Sequence, residues 1–407
     1  MATPPPTQSD WLHSTVGRLS AISGAAGAAI QSRLQRLYER TGTAAPYQIV
    51  TYRAMLDSTG CSLSGRVLER PPGGGPRQED DWWDNLLNTY RRFDSEAMPG
   101  VRVDLSFRGQ SGTAVTDKDG YYHARLAVPP AADGDMWETA EVNRSDGGPV
   151  FLQPVLCVPK SARFGVISDI DDTVLESSIT HWQTAAQLTF LHNAQTRKPL
   201  EGVAKLYQAF QRGVADCGPN PIFYVSASPR NLYDLLEDFF DLNEIPQGPI
   251  QLRDLKFERA SLSMDAGTHA KLGYVHELIE RYPQLQWVLM GDSGQIDADL
   301  YAQTIEKYPG KILAVYIRDV DTATDTLLDK FVASHIERIS STGVPMLLVA
   351  DSNAIAEHAR KLGLIESAEI KEVAKEVKRD QDRPELKEAV KDGVQAAVSD
   401  PVHPTGG

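Results

Sequence analysis

Two periodicities divide the chain. Over residues 49–55, 61–68, 101–107 and 121–128 apolar and polar side chains alternate, most cleanly at Val101, Val103, Leu105 and Phe107. Period-two alternation places every second side chain on one face, so each run predicts a half-buried strand. Together the runs predict a small all-β sandwich over residues 45–160. After a linker at 159–163 the pattern changes to continuous apolar runs, with strands predicted over 166–170, 222–226, 249–252, 287–291, 312–317 and 346–350 and helical stretches such as 200–214 between them. Strands apolar on both faces, alternating with helices, build a doubly wound parallel sheet, expected here over 161–365. In such sheets chemistry collects at the carboxyl ends of the strands.

The flanking stretches are less regular. Leu12, Val16, Leu19, Ile22, Ile30, Leu34 and Leu37 fall near helical spacing and predict an N-terminal helical segment within 1–44. With few basic neighbours it reads as docked on the β domain after it rather than as a membrane-surface helix. Within the β region, PPGGGPRQED runs into an apparent helix bearing Trp82, Trp83, Leu86, Leu87 and Tyr90, an aromatic cluster expected to pack on the sandwich or the next domain. Residues 366–407 have few apolar positions among mixed charges, which predicts a solvated helix or a disordered tail. The DKDG stretch ending at Gly120 lacks the later bidentate acid of a calcium loop and predicts a hairpin turn, with Gly120 supplying positive φ. TDKDGYY resembles the strand-turn-strand of transthyretin-like and carboxypeptidase-regulatory-like sandwich domains.

Composition narrows the function classes. The formal net charge of -14 over 407 residues argues against nucleic acid as partner, because phosphate backbones need a basic surface. Three cysteines without metal spacing fit reduced thiols. No run approaches the ~18 apolar residues of a membrane span, and the N-terminus MATPPPTQSD lacks signal-peptide character. The expectation is a cytoplasmic protein with at most a peripheral membrane contact.

The chemistry is concentrated in FGVISDIDDTV, where an apolar strand runs into Asp169, Asp171 and Asp172 and ends on Thr173. Carboxylates crowded at the end of a buried strand repel one another unless a cation or a shared proton relieves them. An acidic turn in solvent is the plain alternative, and the later strand ends weigh against it. IFYVS delivers Ser226 at a strand terminus, with Ser228 and Pro229 as N-cap and first residue of a following helix, a place where free N–H groups and a hydroxyl seat a phosphate. WVLMGD continues into SGQID, putting Asp292 and Asp297 on one Gly-containing turn. Lys271 lies at the start of a helix between these segments, with Lys256 as rival.

The order hhhhDxDxT, hhhS, K, GDSGxxD resembles the haloacid dehalogenase (HAD) superfamily of aspartate-nucleophile phosphatases over roughly residues 164–350. More narrowly, SDIDDTV, VSASPRNLY and GDSGQIDADLY resemble the phosphatase domain of the actin-patch-associated phosphatidate phosphatases; Arg230 stands where that family carries an aromatic Trp. The resemblance implies a HAD-like α/β fold and a Mg²⁺-dependent phosphomonoesterase working through an aspartyl-phosphate. It implies Asp169 as nucleophile, Asp171 as acid and base, Ser226 and Lys271 as phosphoryl ligands, and Asp169, Asp171, Asp292 and Asp297 as the metal-binding set. Thr173, Ser228 and Arg230 become candidate substrate contacts. Arg318 and Asp319, after a later strand, are candidates to line the site. The intervals between the motifs leave no room for a large cap domain, so the site is expected to be open, suiting phosphatidate or a similar phosphorylated lipid. A bulky protein phosphate as substrate, or a non-catalytic scaffold, are the alternatives.

Overall fold

The computed structural model describes residues 47–69, 97–129, 134–170, 201–215, 217–253, 264–293, 296–319 and 326–381. The expected N-terminal helix, the aromatic cluster at 82–90, and Asp171, Asp172, Thr173 and Lys256 lie outside them. No described helix is long and apolar enough to cross a membrane.

Eight strands come first: β1 (Tyr47–Thr51), β2 (Ala54–Asp57), β3 (Gly60–Glu69), β4 (Arg102–Phe107), β5 (Gln110–Val115), β6 (Tyr121–Leu126), β7 (Trp137–Arg144) and β8 (Phe151–Cys157). In place of the two stacked layers of a sandwich they make one hydrogen-bonded sheet, ordered β1-β3-β2-β8-β7-β4-β5, with β6 on β3. The sheet curls until β5 lies against β6. Leu63, Val67, Val103, Leu105, Val142 and Val155 fill its inner face. Both β1 and β2 pair with β3, and the register slips by one residue between Thr51↔Gly65 and Met55↔Ser62. They are therefore halves of one strand, broken at Tyr52 and Arg53 by a bulge of the kind that sharpens twist. The turn at DKDG forms with Gly120 at φ 78, but it is no hairpin. β5 pairs with β4 and β6 with β3, and a side chain on Gly120 would meet the Val67 carbonyl at 2.5 Å. The turn chemistry was legible; the pairing across it was decided by which neighbours completed the curl.

The second half alternates strand and helix: β9 (Phe164–Asp169), α1 (Val203–Arg212), β10 (Ile222–Pro229), a 3-10 turn (Arg230–Leu232), α2 (Tyr233–Leu242), β11 (Ile250–Arg253), α3 (Met264–Arg281), β12 (Gln286–Asp292), α4 (Asp297–Lys307), β13 (Ile312–Arg318), α5 (Leu327–Ile339), β14 (Met346–Val349), α6 (Ser352–Lys361) and α7 (Ser367–Gln381). All six strands are parallel, in the order β11-β10-β9-β12-β13-β14. The chain starts in the middle, winds outward to β11, then crosses to β12 and winds the other way. The switch point is the β9/β12 pair, where such sheets open a crevice at the strands' carboxyl ends.

Side-chain alternation sends the strands' two faces into two cores. Val166, Tyr224, Val288 and Tyr316 pack with α1, α2, α6 and α7. Ile167, Phe223, Leu289 and Ile317 pack with α3, α4 and α5. Gly165 leaves room for the ring of Trp287, its partner on β12; a β-carbon there would lie 2.5 Å from that ring.

The curled sheet is built into the second of these cores. Met55 and Leu156 are buried among Ile167, Phe223, Val225 and Trp287. Tyr282 donates to the Leu56 carbonyl (3.3 Å), and Arg281 lies 3.5 Å from Asp57. On β11, Gln251 donates to the sulfur of Met55 (3.9 Å).

Two expectations change in this half. Residues 226–229 continue β10 instead of opening a helix, so Ser228 and Pro229 are strand residues and the α-helix starts at Tyr233. The bridge from Pro229 to Arg253 holds them extended. The charged stretch after 365 is docked over 367–381: Val373 and Val377 join the first core, while Glu376 accepts from Lys205 N (2.8 Å) and Asp380 from Gly202 N (3.0 Å). Those two N–H groups belong to the start of α1, which has no side-chain cap of its own. Val373, Val377 and the partly buried Ile370 suffice for docking because carboxylates satisfy another helix's free donors.

Candidate active site

Strand parity and helix register converge on one point. Asp169 ends β9 on the face shared with Ile167, and so points toward α3. Along α3 and the residue after it the buried positions include Lys271, Val275, Leu278 and Tyr282, a stripe at helical spacing that puts the lysine inward. Lys271 Nζ lies 2.8 Å from Asp169 Oδ1 and 2.5 Å from Asp297 Oδ1. Sequence alone read this lysine as starting its helix; it stands in the helix interior and is 3% exposed. The spacing from Lys271 to Tyr282 is the signal that would have found it.

Asp292 ends β12, next to β9 across the switch point, and Asp297 heads α4 five residues on. Asp297 is fully buried, and its other oxygen accepts from Asp292 N (3.2 Å). Both its oxygens are thus engaged, one by an ammonium and one by a main-chain N–H. Gly291 is required here: a β-carbon would fall 2.3 Å from the Asp297 carboxylate. Burial pushes the Asp297 carboxyl well above the usual carboxylate range and Asp169 adds to the rise, while Lys271 pulls it down. Oxygens of Asp169, Asp292 and Asp297 all come within 4.8 Å of one another.

Ser226 follows Val225, the register partner of Asp169, and is buried. The structure brings Asp169, Ser226, Lys271, Asp292 and Asp297 to the same end of the sheet. Arg230 opens the 3-10 turn, half-buried; Asp171 and Thr173 lie outside the described residues. Arg318 ends β13 as register partner of Asp292, and its carbonyl accepts from Ser293 N (2.7 Å). Sequence reasoning missed the pair behind the nucleophile candidate. Ser168 Oγ and Tyr207 Oη lie 2.6 Å apart, and burial pushes the phenol up to about 12. The visible signal was a serine on an inward position of an apolar strand.

An acidic cluster around one buried lysine, at the switch point of a parallel sheet, marks an α/β protein with its buried charge gathered where such sheets open a crevice. Residues 164–319 match the family described as phosphatidate phosphatase APP1, catalytic domain. The chain is 33% identical over 155 residues to the phosphatidate phosphatase APP1 of Saccharomyces cerevisiae, covering 38% of this chain and 25% of that protein. It is also 28% identical over 166 residues to an uncharacterized protein of Schizosaccharomyces pombe, covering 40% and 26%. The chain thus spans about a quarter of the length of the curated relatives it matches. Among solved structures, a carbohydrate acetylesterase from Xanthomonas citri aligns over 78% of this chain and 73% of its own, at 11% identity and a TM-score of 0.33, too low to define fold or function.

Proposed function

We propose that the chain is a Mg²⁺-dependent phosphomonoesterase of HAD-like fold that removes phosphate from phosphatidate, or a closely similar phospholipid, at a membrane surface. The observation that carries this reading is the contact of Lys271 with Asp169 beside Asp292, inside the segment that matches the phosphatidate phosphatase family. Three carboxylates around one ammonium leave a buried cluster net negative when all are ionised, and hard oxygen donors suit Mg²⁺. Asp169, Asp292 and Asp171 would hold it; Asp169 meets Lys271 through one oxygen only, whereas both oxygens of Asp297 are engaged, by Lys271 and by the Asp292 amide. Bound there, the ion neutralises charge on the phosphoryl group and lowers the repulsion met by an anionic nucleophile.

The chain's own groups perform the transfer. Asp169 attacks phosphorus through a carboxylate oxygen; the P–O bond to the glycerol oxygen breaks, leaving an aspartyl-phosphate. Asp171 protonates the departing alkoxide, then takes a proton from the water that attacks the intermediate, and inorganic phosphate leaves with Asp169 restored. Lys271 and Ser226 hold the phosphoryl oxygens while charge builds on them. Asp297 fixes Lys271 in place.

Phosphate release from phosphatidate in mixed micelles, with Mg²⁺ and with excess chelator, is the test. The expected result is turnover that stops on chelation and is absent in Asp169→Asn. Release from phosphoproteins or sugar phosphates but not from phosphatidate would overturn the lipid assignment, and unchanged activity in Asp169→Asn would overturn the nucleophile.

A further inference from the structure

The residues that match the phosphatase family start at Phe164, so the curled sheet lies outside them. Its broken strand nevertheless reaches the segment that carries Ser226. At the break between β1 and β2, Tyr52 and Arg53 leave the sheet's inner face and meet α2. The Tyr52 ring stacks on that of Tyr233, with centroids 4.0 Å apart and planes at 26°. Arg53 N donates to the Tyr233 hydroxyl (2.6 Å), which donates in turn to Glu237 Oε1 (3.0 Å). The Arg53 guanidinium closes the ring, with Nη1 3.3 Å from the same Glu237 oxygen and Nη2 3.8 Å from Asp241 Oδ1. Arg53, Tyr233 and Glu237 are all buried. The kink is pinned from behind: Gln153, fully buried, donates to the carbonyls of Tyr52 (2.6 Å) and Ser64 (2.8 Å).

Tyr233 is the first residue of α2, and its position decides where the chain leaves the site. Upstream, regular pairing of β10 with β9 ends at Val225↔Asp169, and the register with β11 shifts between Val225 and Pro229. The run from Ser226 to Leu232 is therefore held at the Val225 ladder, at the Pro229–Arg253 bridge and, at its far end, by the Tyr233 phenol. We propose that Tyr52 and Arg53 are positioning residues of the active site, which hold the Ser226 segment in register through Tyr233 and Glu237. The curled sheet is then a working part of the catalytic unit. Buried charge is costly unless paired, so Arg53 favours the seat of α2 that keeps Glu237 and Asp241 beside its guanidinium. This inference rests on Ser226 as a ligand of the phosphoryl group, and predicts a defect in turnover rather than in substrate capture.

The test uses the full chain and two variants that keep side-chain volume nearly constant, Tyr233→Phe and the double change Arg53→Met with Glu237→Gln. Hydrogen exchange over residues 226–232 is measured with kcat and KM for phosphatidate in Mg²⁺-containing micelles, alongside thermal unfolding. The expected result is a folded protein with faster exchange in that segment, kcat lower by at least about tenfold and KM within about twofold of the parent. Unchanged exchange, or a kcat within about twofold of the parent despite a lower melting temperature, would overturn the proposal. Absence of turnover in the parent chain would instead sink the phosphatase reading, and exchange over 226–232 then decides the positioning role alone.

Discussion

Lys271 carries more of the site than its place in the sequence suggests. One ammonium stands between Asp169 and Asp297, each within 2.8 Å, in surroundings that exclude water. Removing one partner of a buried ion pair leaves uncompensated charge and costs about 3–5 kcal/mol. Lys271→Met is accordingly expected to lose that order of stability in urea unfolding and to lose phosphate release as well. Adding Asp297→Asn removes one stranded charge, so the double variant is expected to regain much of the stability and none of the turnover. The same measurement checks the division of roles. A double variant that recovered activity would show that Lys271 serves only to neutralise Asp297.

Among the elements, α7 departs furthest from its sequence pattern. Its charge-rich composition predicts solvent on every side, yet it is seated by Ile370, Val373 and Val377 and by two carboxylates that take N–H groups at the head of α1. Gly202, at φ 74, precedes α1 without a side-chain cap, so Glu376 and Asp380 act as caps supplied from a distant part of the chain. Asp380→Ala is expected to cost roughly 1 kcal/mol, the ordinary worth of a cap. A melting curve of the full chain reads this, with activity unaffected at temperatures where the variant is folded. The broken strand β1–β2 makes the same point for sheets. Alternation marked the strand but not the bulge, whose two displaced residues make the contact with α2.

For the whole molecule, the interlocking of the two sheets is the governing feature. Met55 and Leu156 come from the curled sheet but are buried in the core that backs Asp169. Unfolding either sheet exposes the other, so calorimetry is expected to record one transition rather than two. Met55→Ala is expected to lower that single transition by a destabilisation of about 2–5 kcal/mol. Two separate transitions, with only the first shifted by the substitution, would show that the sheets fold independently.

The sequence by itself determined the strand positions of the parallel sheet, the acidic end of β9, Ser226 after an apolar run, and Asp292 and Asp297 on one turn. These were legible because each depends on local pattern: apolar runs, turn residues, and charge at a strand terminus. It could not set Lys271 inside its helix between Asp169 and Asp297, foresee Tyr207 behind Ser168, or place α7 against α1. Nor could it tell a curled sheet from a sandwich, or see that Tyr52 and Arg53 reach the helix that follows Ser226. Those facts join residues far apart in the chain, and the free energy that selects them comes from packing and from pairing buried charge. Only the tertiary structure brings such partners within reach of one another.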